Sequence, residues 1–126
     1  MTVLTQPPTM GDVLKYELNP NFTRETVTLL AGTAYPLGAV LGRITANGKY
    51  KLATSGGSDG AQTAAAVLLY AVDATTADAT AIILARGPSI VSKAALVFDA
   101  TIDDAAKIAT KHGQLAALGI IPRETA

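Results

Sequence analysis

The chain of 126 residues has the length of one ordinary domain, and its ten basic residues cancel its ten acidic ones without a strong run of either sign. That balance lacks the electrostatic footprint of a nucleic-acid binder, and the absence of cysteine excludes disulfide and thiolate chemistry. Apolar residues make up 49% of the chain against 16% charged, which predicts more apolar surface than a monomer keeps in water, and hence an oligomer or a partner, with alanine richness accounting for part of the excess.

Residues 1–11 carry Pro7, Pro8 and Gly11 among threonines. Prolines fix φ and remove donors, so this stretch reads as an irregular or extended arm. It lacks the basic segment and apolar core of a secretory signal. In residues 12–18, Leu14, Tyr16 and Leu18 alternate with Lys15 and Glu17, the period of a strand with one apolar face. Asn19-Pro20-Asn21 ends it with a turn. Such a strand must pair with its own domain, with a neighbouring subunit, or with the open sheet edge of a larger partner. Leu14, Tyr16, Leu18 and Phe22 give the segment too much apolar and aromatic content for a bland tail, which makes these four the candidate binding residues.

Residues 26–30 form a β-rich run leading into Gly32, and residues 35–38 make a further turn. Two short apolar runs follow, residues 39–44 and 50–53, joined through Ala46-Asn47-Gly48. Asn-Gly between such runs predicts a hairpin with a tight primed turn, in which both residues take positive φ. A connection rich in glycine and serine, residues 54–60, leads to an apolar run over residues 64–72 that has no polar face. This run reads as a strand buried on both sides, a pattern it shares with a buried helix. It is far shorter than the ~20 residues of a membrane-spanning helix, so the chain is expected to be soluble.

Residues 73–80 read as a loop, residues 81–85 as an apolar strand ended by Gly87-Pro88, and residues 90–98 as a less regular strand. Residues 101–118 carry the one clear helix. Thr101 followed by Asp104 resembles the start of a capping box, and Asp103 and Asp104 place negative charge at the positive end of the dipole. Asp103, Asp104, Lys107, Thr110, Lys111 and Gln114 share one polar arc, with Ile102, Ala105, Ala106, Ile108, Ala109, Leu115 and Ala116 on the rest. Gly113 weakens the middle by about 1 kcal/mol relative to alanine and is a candidate break into two helices. Gly119 is the stop, and Pro122 prevents continuation.

No constellation for catalysis emerges. The single histidine, His112, lies on the apolar arc of the helix without ligand or acid–base partners at useful spacing, and reads as a packed, hydrogen-bonded side chain. Residues 54–60 lack the lysine and hydroxyl of a phosphate loop. Asp103 and Asp104 are explained by the helix start, and neither Ser58 nor Ser89 sits in a nucleophile elbow. The expectation is no enzyme, no metal and no cofactor.

Several weak motifs then fall in an informative order. Pro36-Leu37-Gly38-Ala39-Val40-Leu41-Gly42-Arg43, Gly48-Lys49-Tyr50, Ser58-Asp59-Gly60-Ala61 and Ala66-Val67-Leu68 together resemble the head decoration proteins of tailed bacteriophages, the capsid-stabilising proteins of the lambda type. The resemblance extends to Leu14-Lys15-Tyr16, Thr23-Arg24-Glu25 and Leu118-Gly119-Ile120-Ile121, and so covers most of the chain. It implies a mainly β fold, a β-clip-like incomplete barrel with one or two short helices near the C-terminus and an extended N-terminal arm. It further implies a homotrimer on the outer surface of the virion, made in the host cytoplasm and bound at three-fold positions of the major capsid protein, where it resists internal DNA pressure. Neither nucleic acid nor membrane would be a partner. On this reading residues 1–25 are the capsid-binding arm, anchored by Leu14, Tyr16, Leu18 and Phe22, and residues 26–126 are the decoration domain. Other readings are a tail or fibre component of a virion, or a small hydrolase using His112 with an aspartate.

Overall fold

A computed structural model describes residues 10–124; of residues 1–11, expected to be irregular or extended, 1–9 lie outside them, and Met10 and Gly11 begin a short helix instead. The fold is mainly β, as the sequence predicts. A short helix, α1 (Met10–Val13), precedes β1 (Leu14–Glu17), and a second short helix, α2 (Pro20–Thr23), leads into β2 (Arg24–Leu29). There follow β3 (Thr33–Tyr35), β4 (Val40–Arg43), β5 (Tyr50–Leu52), β6 (Ala64–Leu68), β7 (Val72–Ala74), β8 (Ala79–Leu84) and β9 (Ser89–Ser92). A 3-10 turn (Lys93–Ala95), the helix α3 (Ala105–Ala117) and β10 (Ile120–Arg123) complete the chain.

Five strands close a barrel in the order β2-β5-β4-β6-β8. The ring is uneven. β2 pairs antiparallel with β8 along its whole length, from Arg24↔Leu84 to Leu29↔Ala79, whereas it meets β5 only at Leu29↔Tyr50, in parallel. Outside the barrel, β1, β9 and β10 form a three-stranded sheet with β9 in the middle, and β3 pairs with β7.

The apolar run over residues 64–72 becomes β6 because both of its faces are covered. Ala66 and Leu68 join one apolar cluster with Leu29, Leu41 and Ile83. Val67 and Leu69 join a second with Val40, Leu84, Val91, Leu115 and Ile120. β4 divides its side chains in the same way, and so does the end of β8 at Ile83 and Leu84, although Ile82 before them stays exposed; these stretches of three neighbouring barrel strands are sandwiched between two cores. Burying each leucine or valine there contributes about 1.5–3 kcal/mol. The run does not remain one strand to its end: Tyr70 turns outward, 45% exposed, and a separate strand, β7, opens at Val72 and continues into the stretch expected to be loop.

Several other expectations are corrected. The hairpin between β4 and β5 forms, with Leu41↔Leu52 and Arg43↔Tyr50 paired, but its turn is not primed. Only Gly48 takes positive φ, at 72°, while the Asn47 side chain accepts from the Lys49 amide at 3.0 Å. The loop, wider than two residues, closes through the Gly48 amide and the Ile44 carbonyl at 2.8 Å. The helix starts later than Thr101: Asp104 is itself the N-cap, accepting from the Lys107 amide at 2.8 Å. α3 runs through Gly113 without a break. Residues 90–98 do not form one strand, since β9 ends at Ser92 and the 3-10 turn follows.

The polar arc of α3 is also only partly solvated. Lys111 is 2% exposed, and its ammonium donates to the Gln62 carbonyl; burial pulls its pKa down. Gln114 accepts from the Ala64 amide at 2.8 Å. This flank of the arc therefore ties the helix to the start of β6, and it is the alanines at 105, 106, 109 and 116 that face water. The helix ends at Ala117, before Gly119 at φ 84°, and Pro122 lies within β10, an edge strand parallel to β9, where a missing N–H is tolerated. Gly87 permits this arrangement: a Cβ there would lie 1.8 Å from the Gly119 carbonyl oxygen. No helix among the described residues is long and apolar enough to cross a membrane.

Candidate interaction surface

The segment that carries the four candidate binding residues is built into the body of the domain. β1 pairs antiparallel with β9, and the Leu18 amide donates to the Pro88 carbonyl at 3.0 Å. Of the three pairing modes open to this strand, its own domain takes the edge that faces β9. The expected single apolar face is corrected by a register shift between Leu14 and Tyr16. Leu14 stands opposite Val91, which is buried, and packs against the core. Tyr16 stands opposite Ile90 on the other side of the sheet. Leu14 is thus separated from the other three, while Tyr16, Leu18 and Phe22 are 49%, 58% and 52% exposed.

The sheet extends this exposed set with residues the sequence did not single out. Ile90 pairs with Tyr16 on one side and with Ile121 on the other, so the three form a row across β1, β9 and β10. Ile121 is 37% exposed, and Ile90 is half-buried. The opposite face of the same sheet, with Val91 and Ile120, belongs to the core. Nothing in the local pattern of residues 120–123 reveals the row, because it depends on strands more than 70 residues apart in sequence at Tyr16 and Ile90.

Below this row the connection through α2 is fixed by charge. Arg24 pairs with Glu17 at 2.5 Å, their side chains 22% and 10% exposed, and the buried Thr23 hydroxyl donates to Glu17 at 2.7 Å. Burial alone would raise the pKa of Glu17, but the bonds from Arg24 and Thr23 outweigh it and hold the carboxyl below its usual range. Asn19 caps α2 by accepting from the Asn21 amide at 2.9 Å. Phe22 lies under the Arg86 guanidinium, 5.5 Å from the ring centroid, and Arg86 also binds Glu25 at 2.6 Å. The aromatic side chain is therefore held in place while its outer face stays in water.

His112 stands apart from this surface. Its ring packs against Phe98, with centroids 5.9 Å apart, and burial, followed by the nearby Lys93 charge, lowers its pKa. The expected hydrogen bond is not made at Nε2, which is buried without a partner among the described residues; the Ser89 hydroxyl oxygen is in the same condition. No three His, Asp or Glu side chains gather to hold a metal among the described residues. The arrangement offers a partly apolar face and a clamped connection behind it, which suits binding to another surface.

Comparison with known proteins agrees in kind. A family model described as bacteriophage lambda head decoration protein D matches residues 3–120. No curated protein matches the chain.

Proposed function

The chain belongs to the bacteriophage lambda head decoration protein D family, and from that premise we propose that it binds the outside of the expanded head as a trimer, bridging subunits of the major capsid protein. Its work there is mechanical: it holds neighbouring capsid subunits together against the pressure of packaged DNA. The observation that carries this reading is the family match over nearly the whole chain. Two physical features support it: an apolar row, Tyr16, Ile90 and Ile121, whose two ends the fold leaves exposed, and the absence of a charge excess that would favour nucleic acid. Cyclic closure would let three copies bury identical surfaces without open ends.

Within this reading residues 1–25 form the capsid-binding arm and residues 26–126 the decoration domain. Tyr16, Leu18 and Phe22 meet the capsid, and Leu14 anchors the base of the arm to the body. Three arms on one trimer would raise avidity by roughly 10²–10⁴ over a single contact. The test is decoration of expanded, undecorated heads, imaged by cryo-electron microscopy and followed by their resistance to heat. Density for three copies around the capsid three-fold positions is the expected result. Isolated single copies there would exclude the trimer, and protein that leaves heads bare would exclude the function.

A further inference from the structure

The barrel has one weak seam. Along β2 the direction of the backbone groups is set by two bonds: Ala85 donates to the Thr23 carbonyl on the β8 side, and Leu30 donates to the Tyr50 carbonyl on the β5 side. Alternation along a strand then turns the amides of Thr26 and Thr28 and the carbonyls of Arg24 and Thr26 toward β5. β5 meets β2 only at Leu29↔Tyr50, so these groups have no backbone partner among the described residues. Where the strands part, a cleft of about 630 Å³ opens between residues 25–28 and the tip of the β4–β5 hairpin, a size typical of binding sites. Val27 and Leu118 give it an apolar side, and Arg43 and Lys49 stand on the hairpin bank.

We propose that this cleft accepts an extended polypeptide segment as an added strand on β2, filling the gap in the barrel wall. The occupant is an extended segment of a partner protein that presents apolar and acidic side chains on the face it turns to Val27 and Arg43. Register places these two residues on one face, since Arg43 pairs with Tyr50, which packs with Val27 against the same apolar cluster; every second side chain of an added strand meets that face, and the others face outward. The acidic character follows from charge. Glu25 is held by Arg86 and Lys49 by Asp78, at 2.6 and 2.5 Å, whereas Arg43 is exposed and has no ion pair among the described residues. A carboxylate on the incoming strand would supply one. The inference rests on the decoration reading for its source, a segment of the capsid shell, and it concerns a barrel surface that borders the N-terminal arm at Glu25 and Arg86.

Hydrogen exchange, read residue by residue on the full chain free and bound to expanded heads, tests it. The Thr26 and Thr28 amides should exchange fast in the free protein and become protected on heads. Thr26→Pro, which removes an outward donor and none from the β8 ladder, should melt like the parent and bind heads at least ~10-fold more weakly. Arg43→Glu should weaken binding about tenfold and reduce its dependence on salt. Protein that decorates heads while both amides exchange at the free rate overturns the added strand and leaves decoration standing, as does a folded Thr26→Pro protein of parental affinity. Amides already protected in dilute free protein would mean that the chain covers its own edge, and would overturn it too. Failure to bind heads at all would remove both readings.

Discussion

The barrel strands β4, β6 and β8 and the outer sheet of β1, β9 and β10 use similar apolar residues to different ends. In the barrel, neighbours such as Val67 and Leu68 or Ile83 and Leu84 point to two different cores and all four are fully buried. In the outer sheet only one face is used up by packing: Val91 and Ile120 are buried, while Tyr16 and Ile121 remain 49% and 37% exposed. A strand covered on both sides has nothing left to offer a partner. A strand covered on one side keeps a second face for one, held rigid by the first.

The largest effect expected from breaking this contrast is in the barrel. Leu68→Ala should cost about 2–5 kcal/mol, because the packed strands on either side cannot collapse into the space it leaves; a shift in the urea midpoint without a change in slope would register it. A loss below 1 kcal/mol would mean that the barrel core is looser than its burial indicates. Gly87→Ala should come next, at about 1–3 kcal/mol, since a methyl group aimed at the Gly119 carbonyl must push the β9 and β10 connections apart. Its effect should fall on the outer sheet, and exchange of the β10 amides should rise more than that of the β6 amides.

The ion pair behind the exposed row gives a smaller effect with a pH signature. Because the folded-state pKa of Glu17 is depressed, its contribution is complete above the unfolded carboxyl range and is lost as pH falls through the folded value. Glu17→Gln should therefore cost about 1–2 kcal/mol near neutrality, and the gap between parent and variant should close in acid. A gap that stays constant from pH 7 to well below the usual carboxylate range would show that packing, rather than charge, is lost. The smallest change in stability belongs to the open face. Tyr16→Ser and Ile121→Ser should each shift stability by no more than ~0.5 kcal/mol, while both weaken attachment to heads. If they unfold the protein instead, the row is part of the core and the contrast between the two regions fails.

The sequence made the barrel more legible than the outer sheet, and the reason is locality. Asn47-Gly48 marked the hairpin, and the unbroken run before Tyr70 marked β6, because each signal lies within a few residues of what it forms. β10 was hidden by Pro122, whose lost donor matters only if the strand is central, and nothing nearby says that it is an edge. Lys111 was misplaced because a helical wheel separates polar from apolar arcs without telling which flank meets the body. The same limit divides the candidate surface. Tyr16, Leu18 and Phe22 stand out in the sequence by their type, whereas Ile90 and Ile121 join them only through register, and the shift that turns Leu14 inward leaves no mark on the alternation of residues 14–18.

The outer sheet also sets an order of events for a chain emerging from the ribosome. β1 is made before its partner β9, which lies more than 70 residues later, at Leu14↔Val91, and β10 comes after that. Hairpin β4–β5 can close first, but β1 must wait, unpaired, until those later residues have been synthesised. Topologies dominated by such distant pairings fold slowly, on the scale of milliseconds to seconds. Through that interval Tyr16, Leu18 and Phe22 stand in water on a free strand edge, so newly made copies risk pairing with one another. Pulsed hydrogen exchange during refolding should find the amides of β4 and β5 protected before those of β1, and β1 protected together with β10.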